Sequence, residues 1–135
     1  MTTMEEFRAV FQHWPAVQLA VLFGSSARGR ATPRSDVDVA VRLAPDTPET
    51  RRELYVALHA ALKRPIDLVF VDRAPPLLRL EIARHGQPIV ERQERGWVEF
   101  KARAMIDWGD WAPYARRMGL AAIRRLREEI ARGQA

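Results

Sequence analysis

Residues 35–43, SDVDVAVRL, alternate Asp and Val with a period of two, and Arg42 continues the pattern after Ala40. A period of two is typical of a β-strand, because successive side chains point to opposite faces of the sheet. The three valines are therefore predicted to face the core, with Asp36 and Asp38 together on the other face. Two neighbouring carboxylates repel each other, so this strand needs a cation or another compensating partner.

Three further segments predict strands that complete a small sheet. Residues 16–23 are a continuous apolar run, typical of a strand buried on both faces. Residues 66–71 (IDLVFV) and 87–91 are shorter runs that follow Pro65 and Gly86. Because helical patterns alternate with these strands, we predict an α/β fold in which helices flank a mixed sheet.

Capping residues and breakers predict where the helices begin and end. Thr47 is expected to cap a helix with Pro48 at its first position, and Gly86 to end another as a left-handed cap. The predicted helices cover residues 3–13, 48–62, 76–85 and 94–132, the last with breaks at Gly109, Pro113 and Gly119.

Length and composition predict one domain over residues 1–135, with a core at about 1–91 and a helical extension at about 94–132. No apolar run approaches the ~18 residues of a membrane span, and the acidic N-terminus lacks the features of a signal peptide. Since the chain has no cysteine, disulfides and thiolate metal sites are excluded. The expected location is the cytoplasm.

The net charge of +5 comes from 20 arginines and 2 lysines against 17 acidic residues. Arginine binds phosphates and carboxylates through a rigid planar fork, so a polyanion or an acidic partner is favoured, although codon bias would give the same composition. The arginines of the terminal helix are interpreted as solvent-exposed Arg–Glu pairs rather than a nucleic-acid surface. The aromatic residues of the 97–114 tract are predicted to divide between core and partner interface.

A third carboxylate, Asp67, interrupts the apolar run IDLVFV, where an acid is costly to bury without a partner. If the second and third strands are neighbours, Asp67 lies beside Asp36 and Asp38. Three clustered carboxylates suit Mg²⁺ and metal-assisted phosphoryl or nucleotidyl transfer. The alternative is an edge acid paired with Arg64 or Arg42.

Gly24 and Ser25 follow the first strand directly. Glycine lets the backbone approach a ligand closely, and a helix beginning near Ser25 and Ser26 would offer free N–H groups to phosphate. Arg28, Arg30 and Arg34 add positive charge to the same connection.

Residues 24–38, GSSARGRATPRSDVD, fit the pattern G-S-x10-D-x-D and resemble the DNA polymerase beta-like nucleotidyltransferase superfamily. The short length, the GS-x-A-R-G form and the D-L-V strand at Asp67 are similar to its minimal (MNT) members. The resemblance covers roughly residues 17–91 and extends to the W-x-E-F-x-x-R-A…D tract at 97–107. It implies that family's fold and the transfer of a nucleoside monophosphate with release of pyrophosphate.

The resemblance also implies a role for each matching residue. Asp36 and Asp38 would hold Mg²⁺ with its ATP substrate, and Asp67 would complete the catalytic and metal-binding set. The nucleotide would be bound by Gly24, Ser25, Ser26 and Arg28.

Many small MNT proteins are antitoxins of HEPN–MNT (type VII) pairs, in which they resemble enzymes that transfer AMP to a tyrosine of the HEPN ribonuclease toxin. The implied function is therefore an Mg²⁺-dependent adenylyltransferase antitoxin that forms a hetero-oligomer with a HEPN toxin, without membrane or direct nucleic-acid binding. Two alternatives stay open: a non-catalytic antitoxin that occludes its partner, and a nucleotidyltransferase for a small molecule such as an antibiotic.

Overall fold

The computed structural model describes residues 2–24 and 36–133. Within them a four-stranded sheet has the order β3-β2-β1-β4. Strand β1 is antiparallel to both of its neighbours, whereas β2 and β3 are parallel. The predicted mixed sheet is therefore confirmed. The strands are β1 (Val17–Phe23), β2 (Val37–Leu43), β3 (Ile66–Phe70) and β4 (Gln87–Glu91).

Two helices begin at the residues that the sequence predicts, each behind a threonine cap, whereas the last helix begins at Gly96 rather than at residue 94. Thr2 and Glu5 form a reciprocal capping box on the first helix, and Thr47 accepts from the N–H of Thr50 at the start of the second. The helices are α1 (Thr3–Phe11), α2 (Pro48–Ala61), α3 (Pro76–His85) and α4 (Gly96–Ala131), with a 3₁₀ turn at Val71–Arg73 after β3.

The sheet is covered on both faces, which explains the continuous apolar run of β1. On one face, Phe7 and Phe11 of α1 and Leu54 and Leu58 of α2 are fully buried against the valines of β2. On the other face, α3 and α4 pack against alternate residues of the same strands, with Phe100 1% exposed. The predicted inward orientation of Val37, Val39 and Val41 is confirmed, since all three are 0% exposed.

Gly86 does not form the predicted left-handed cap, since its φ is −73° and its ψ 151°. The structure gives a different reason for glycine at this position. A Cβ atom would collide with the carbonyl oxygen of Ile82 and with Val21 Cγ1, and it would lie 3.2 Å from Trp97 Cη2. The absence of a side chain therefore allows the close packing of α3 and α4 on the sheet.

The predicted breaks in the C-terminal helix are wrong, because α4 runs unbroken for 36 residues through Gly109, Pro113 and Gly119. A proline ring crowds the carbonyl four residues earlier. For Pro113 that carbonyl belongs to Gly109, where the backbone has most freedom to adjust. In residues 2–24 and 36–133, no helix combines the length and the apolar character that a membrane span needs.

We predict that Gly86→Ala lowers the free energy of unfolding by about 1–3 kcal/mol, the usual cost of overpacking a core. Gly119→Ala is the matched control, because a Cβ at that position meets nothing within 4 Å. Thermal unfolding followed by circular dichroism measures both variants. An unchanged Tm for Gly86→Ala would contradict this packing argument.

Candidate active site

The parallel pairing of β2 with β3 brings two carboxylates together. Asp38 and Asp67 are register partners across these strands, and Asp38 is paired with Phe23 of β1 on its other side. By strand alternation both aspartates project from the sheet face that α3 and α4 cover. Asp36 lies immediately before β2 and is exposed. The condition stated from the sequence, that the second and third strands are neighbours, is met.

The surroundings of Asp38 disfavour its ionised form. The pKa of Asp38 is raised to about 6, first by burial, and then by the adjacent charge of Asp67, a hydrogen bond between the two carboxyl groups and the charges of Asp36 and Glu81. Asp38 is half-buried, whereas Asp67 is exposed. The cost of burying an acid, which the sequence predicts for Asp67, therefore falls on Asp38.

Glu81 is the acidic residue of this site that the sequence pattern did not reveal. It lies in the middle of α3, is half-buried between the buried residues Leu80 and Ile82, and its charge acts on Asp38. In the sequence, Glu81 stands out only as an acid within the mostly apolar tract LLRLEIA. Its proximity to Asp38 follows from the packing of α3 on the sheet face that carries the carboxylates.

Position 24 requires glycine for two reasons, its backbone conformation and the lack of room for a side chain. Its φ is +70°, in the left-handed region that favours glycine. A Cβ atom there would overlap Asp38 Oδ2 and would lie 3.0 Å from Asp38 Cγ. The sequence predicts that this glycine makes room for a ligand. The structure shows that it makes room for the carboxylate of Asp38.

The remaining predicted phosphate contacts, Ser25, Ser26 and Arg28, lie outside the described residues. The two arginines considered as ion-pair partners of Asp67 make other contacts. Arg42 binds Asp72 at 3.0 Å, and Arg64 donates to Thr3 Oγ1 at 3.2 Å. These contacts favour the clustered-carboxylate interpretation of Asp67 over an edge ion pair.

The donor chemistry of the site fits a hard divalent cation. Carboxylate oxygens are ligands that Mg²⁺ prefers. The pKa of Asp38 is raised first by burial and then by the negative charges of Asp67, Asp36 and Glu81, and a cation would offset those charges. Among the described residues no group of three His, Cys, Asp or Glu side chains forms a ready-made metal cluster. The coupled pair Asp38–Asp67, with exposed Asp36 next to it, is the donor set that fits.

Two carboxylates joined across β2 and β3, beside a left-handed glycine at the end of β1, are the arrangement expected of a nucleotidyltransferase. A profile of the family described as "Polymerase beta, Nucleotidyltransferase" matches residues 5–95. The chain therefore belongs to this family, and the predicted fold class is confirmed.

A curated relative matches part of the chain. The chain is 37% identical over 82 residues to "Protein adenylyltransferase MntA" of Shewanella oneidensis, a match that covers 59% of this chain and 58% of the relative. The match therefore spans less than two thirds of the curated relative's length.

Solved structures share the fold at low sequence identity. One, a toxin–antitoxin complex with AMP-PNP, has a TM-score of 0.78 and 22% identity and covers 90% of this chain and 99% of that chain. Another holds the tri-AMPylated HEPN toxin of Shewanella oneidensis with its MNT antitoxin, with a TM-score of 0.71, 21% identity and coverage of 89% and 95%.

We predict that Asp38→Asn stabilises the metal-free protein at pH 7.5 but not below pH 4. A raised folded-state pKa means that ionised Asp38 penalises the fold, fully above about pH 6 and not below the unfolded-state value of 3.8. After allowance for solvent screening, the gain is about 1 kcal/mol, which is about 4 °C in Tm. Thermal unfolding at the two pH values in a chelating buffer measures it.

Asp72→Asn is the control, because Asp72 is already paired with Arg42. We expect no gain in Tm from this change at either pH. An equal gain from Asp38→Asn at both pH values, or a loss at pH 7.5, would contradict the electrostatic interpretation.

Proposed function

We propose that this protein is a minimal adenylyltransferase that transfers AMP from ATP to a tyrosine hydroxyl of a HEPN ribonuclease toxin and thereby acts as its antitoxin. The observation that carries the proposal is the register pairing of Asp38 with Asp67 beside Gly24. Support also comes from family membership and from the names of the relatives, an adenylyltransferase and an antitoxin bound to an AMPylated toxin.

The proposed reaction is attack of the acceptor oxygen on the α-phosphorus of ATP. The new O–P bond forms as the bond to the bridging oxygen of pyrophosphate breaks, and the hydroxyl proton passes to a base. Asp67 is the proposed base, because its exposed carboxylate can both reach an incoming hydroxyl and release the proton to water. Family resemblance supports nucleotide binding by Gly24, Ser25, Ser26 and Arg28.

Asp36, Asp38 and Asp67 are the residues proposed to hold Mg²⁺, which would supply charge neutralisation at the phosphates and orient them for in-line transfer. Asp38 lies beside Asp67 with its pKa raised. The charges of these carboxylates would repel a polyanionic substrate, and a bound divalent cation would offset them.

We propose that residues 1–135 act as one domain, since the start of α4 packs on the same sheet as α3. A cytoplasmic location fits an ATP-dependent enzyme whose partner would be an intracellular ribonuclease.

The test of activity is transfer of label from ATP to the purified HEPN toxin. Wild-type protein is expected to transfer label from the α-phosphate and none from the γ-phosphate, which distinguishes adenylylation from phosphorylation. Asp36→Asn with Asp38→Asn is expected to lose transfer to background, because the proposed metal site is gone. Asp72→Asn, whose side chain is bound to Arg42, should retain transfer.

Transfer that persists in the double variant would overturn the mechanism. Binding of the toxin without any label transfer by the wild-type protein would instead favour an antitoxin that acts by occlusion. Circular dichroism shows whether the double variant remains folded.

We predict that Mg²⁺ raises the Tm of the wild-type protein and leaves that of the Asp36→Asn, Asp38→Asn double variant unchanged. A ligand that binds only the folded state stabilises it by about 1.4 kcal/mol at ten times its Kd. A titration of Tm against Mg²⁺ concentration in the absence of nucleotide measures this without relying on activity. An equal rise in both proteins would place the cation elsewhere.

A further inference from the structure

Helix α4 extends well beyond the part of the protein that supports it. Its 36 residues span about 54 Å. Near its start Phe100 and Ala104 are buried in the core, and Ala112 is the last buried residue among those described. Over residues 116–133 every side chain that the structure describes is exposed. This half of the helix is therefore available to a partner.

One side of this exposed half combines arginines with large apolar side chains. At about 100° per residue, five residues that we call the basic face lie within about 100° of one another around the helix axis: Arg116, Leu120, Ile123, Arg124 and Arg127. Half-buried Trp111 and Ala115 lie on the opposite side, in line with the buried start of the helix. The basic face therefore points away from the packed side of α4.

The charge of the basic face is not balanced by neighbouring acids. Glu128 and Glu129, the two glutamates of residues 116–133, lie about 90° and about 170° from the centre of the face. In the described part of the chain, no carboxylate pairs with Arg116, Arg124 or Arg127. The Arg–Glu pairs predicted for this helix therefore do not form among the described side chains, and these three guanidinium groups can bind anionic groups of a partner.

Two exposed aliphatic side chains lie among these arginines. Leu120 is 64% exposed and Ile123 is 50% exposed. Both border a cavity of about 310 Å³ that Arg124 and Arg127 also line. Full burial of a leucine or isoleucine side chain is favourable by about 1.5–3 kcal/mol, and arginine is enriched in protein interfaces. A partner surface with an apolar centre and acidic borders would match this face.

The composition of the face distinguishes between classes of anionic partner. Proteins bind single-stranded nucleic acid by stacking its bases on aromatic rings, and the basic face contains none. A helix that lies on a membrane needs a broad apolar side, whereas this face offers two large apolar residues. A second copy that presented the same face would oppose arginine to arginine, which disfavours pairing. An acidic amphipathic helix of another protein is the occupant that fits.

We propose that the basic face of α4 docks an acidic amphipathic helix of the HEPN toxin that the enzyme modifies. Leu120 and Ile123 would contact the apolar side of that helix, and the three arginines would bind the carboxylates at its borders. The face lies outside residues 5–95, which match the family profile, so it is separate from the site of nucleotidyl transfer. The identity of the partner rests on the proposed function, whereas the docking surface does not depend on catalysis.

The test is the affinity of the 135-residue protein for the purified HEPN toxin, measured by isothermal titration calorimetry. Leu120→Glu is expected to weaken binding at least about tenfold, because it places a carboxylate opposite an acidic partner. Met118→Glu is the matched control and should bind within about twofold of wild type. Met118 is 56% exposed and lies about 160° from Leu120 around the helix.

Charge reversal tests the arginines separately. Arg124→Glu with Arg127→Glu is expected to weaken binding at least about tenfold, because two attractive charges become repulsive. Arg125→Glu with Arg132→Glu makes the same change in net charge on the other side of the helix. This control pair should weaken binding less than about threefold, through long-range attraction alone. Circular dichroism should show equal helix content in all variants.

Wild-type binding should weaken as salt is raised, since screening reduces charge complementarity. Equal affinities for Leu120→Glu and Met118→Glu, or for the two pairs of arginine substitutions, would overturn the proposal. No binding of the toxin by the wild-type protein would overturn it as well.

Two other occupants of the basic face have their own signatures, and either would also overturn the proposal. A dimer of the protein alone, seen by sedimentation equilibrium and lost in Leu120→Glu but not in Met118→Glu, would assign the face to a second copy. Binding of a fluorescein-labelled RNA that is lost in Arg124→Glu with Arg127→Glu but retained in Leu120→Glu would assign the face to nucleic acid.

The Asp36→Asn, Asp38→Asn double variant separates docking from catalysis. It should bind the toxin as the wild type does. Loss of binding in Leu120→Glu without any label transfer by the wild-type protein would support docking while the proposed activity fails. Label transfer by the wild-type protein with equal binding by Leu120→Glu and Met118→Glu would do the reverse.

Discussion

The repulsion between Asp38 and Asp67 is the constraint around which the structure is organised. Parallel pairing of β2 and β3 places these carboxylates side by side, where burial and mutual charge raise the pKa of Asp38. A fold can hold such a pair only if other contacts offset its cost. Here the offset comes from the opposite side of β2, where Val37, Val39 and Val41 are fully buried.

The two faces of the sheet therefore differ in what they contain: one is an apolar core, and the other combines packed helices with the carboxylates. The face covered by α1 and α2 is entirely apolar in its core and stabilises the strands. The other face packs α3 and α4 but leaves the end of β2 to the carboxylates, with Gly24 providing space for Asp38. Glu81 of α3 brings further negative charge to that end. A site with this much charge favours cations and the phosphates that accompany them.

Membership of the polymerase beta nucleotidyltransferase family fits this division, because nucleotidyl transfer needs clustered acids on a rigid support. The long α4 extends beyond this core. Its first half packs on the sheet, whereas every described side chain over residues 116–133 is exposed.

Strand alternation, caps and the G-S-x10-D-x-D spacing are short-range patterns, so the four strands and the three candidate aspartates can be proposed from the sequence alone. The starts of α1 and α2 and the inward valines of β2 were predictable for this reason. Packing between distant segments shows that Asp38 rather than Asp67 is the half-buried acid, that the charge of Glu81 acts on Asp38 and that Gly86 is needed for close packing. The structure also shows that α4 continues through Pro113. These features depend on contacts between residues far apart in the chain, about which local patterns carry no information.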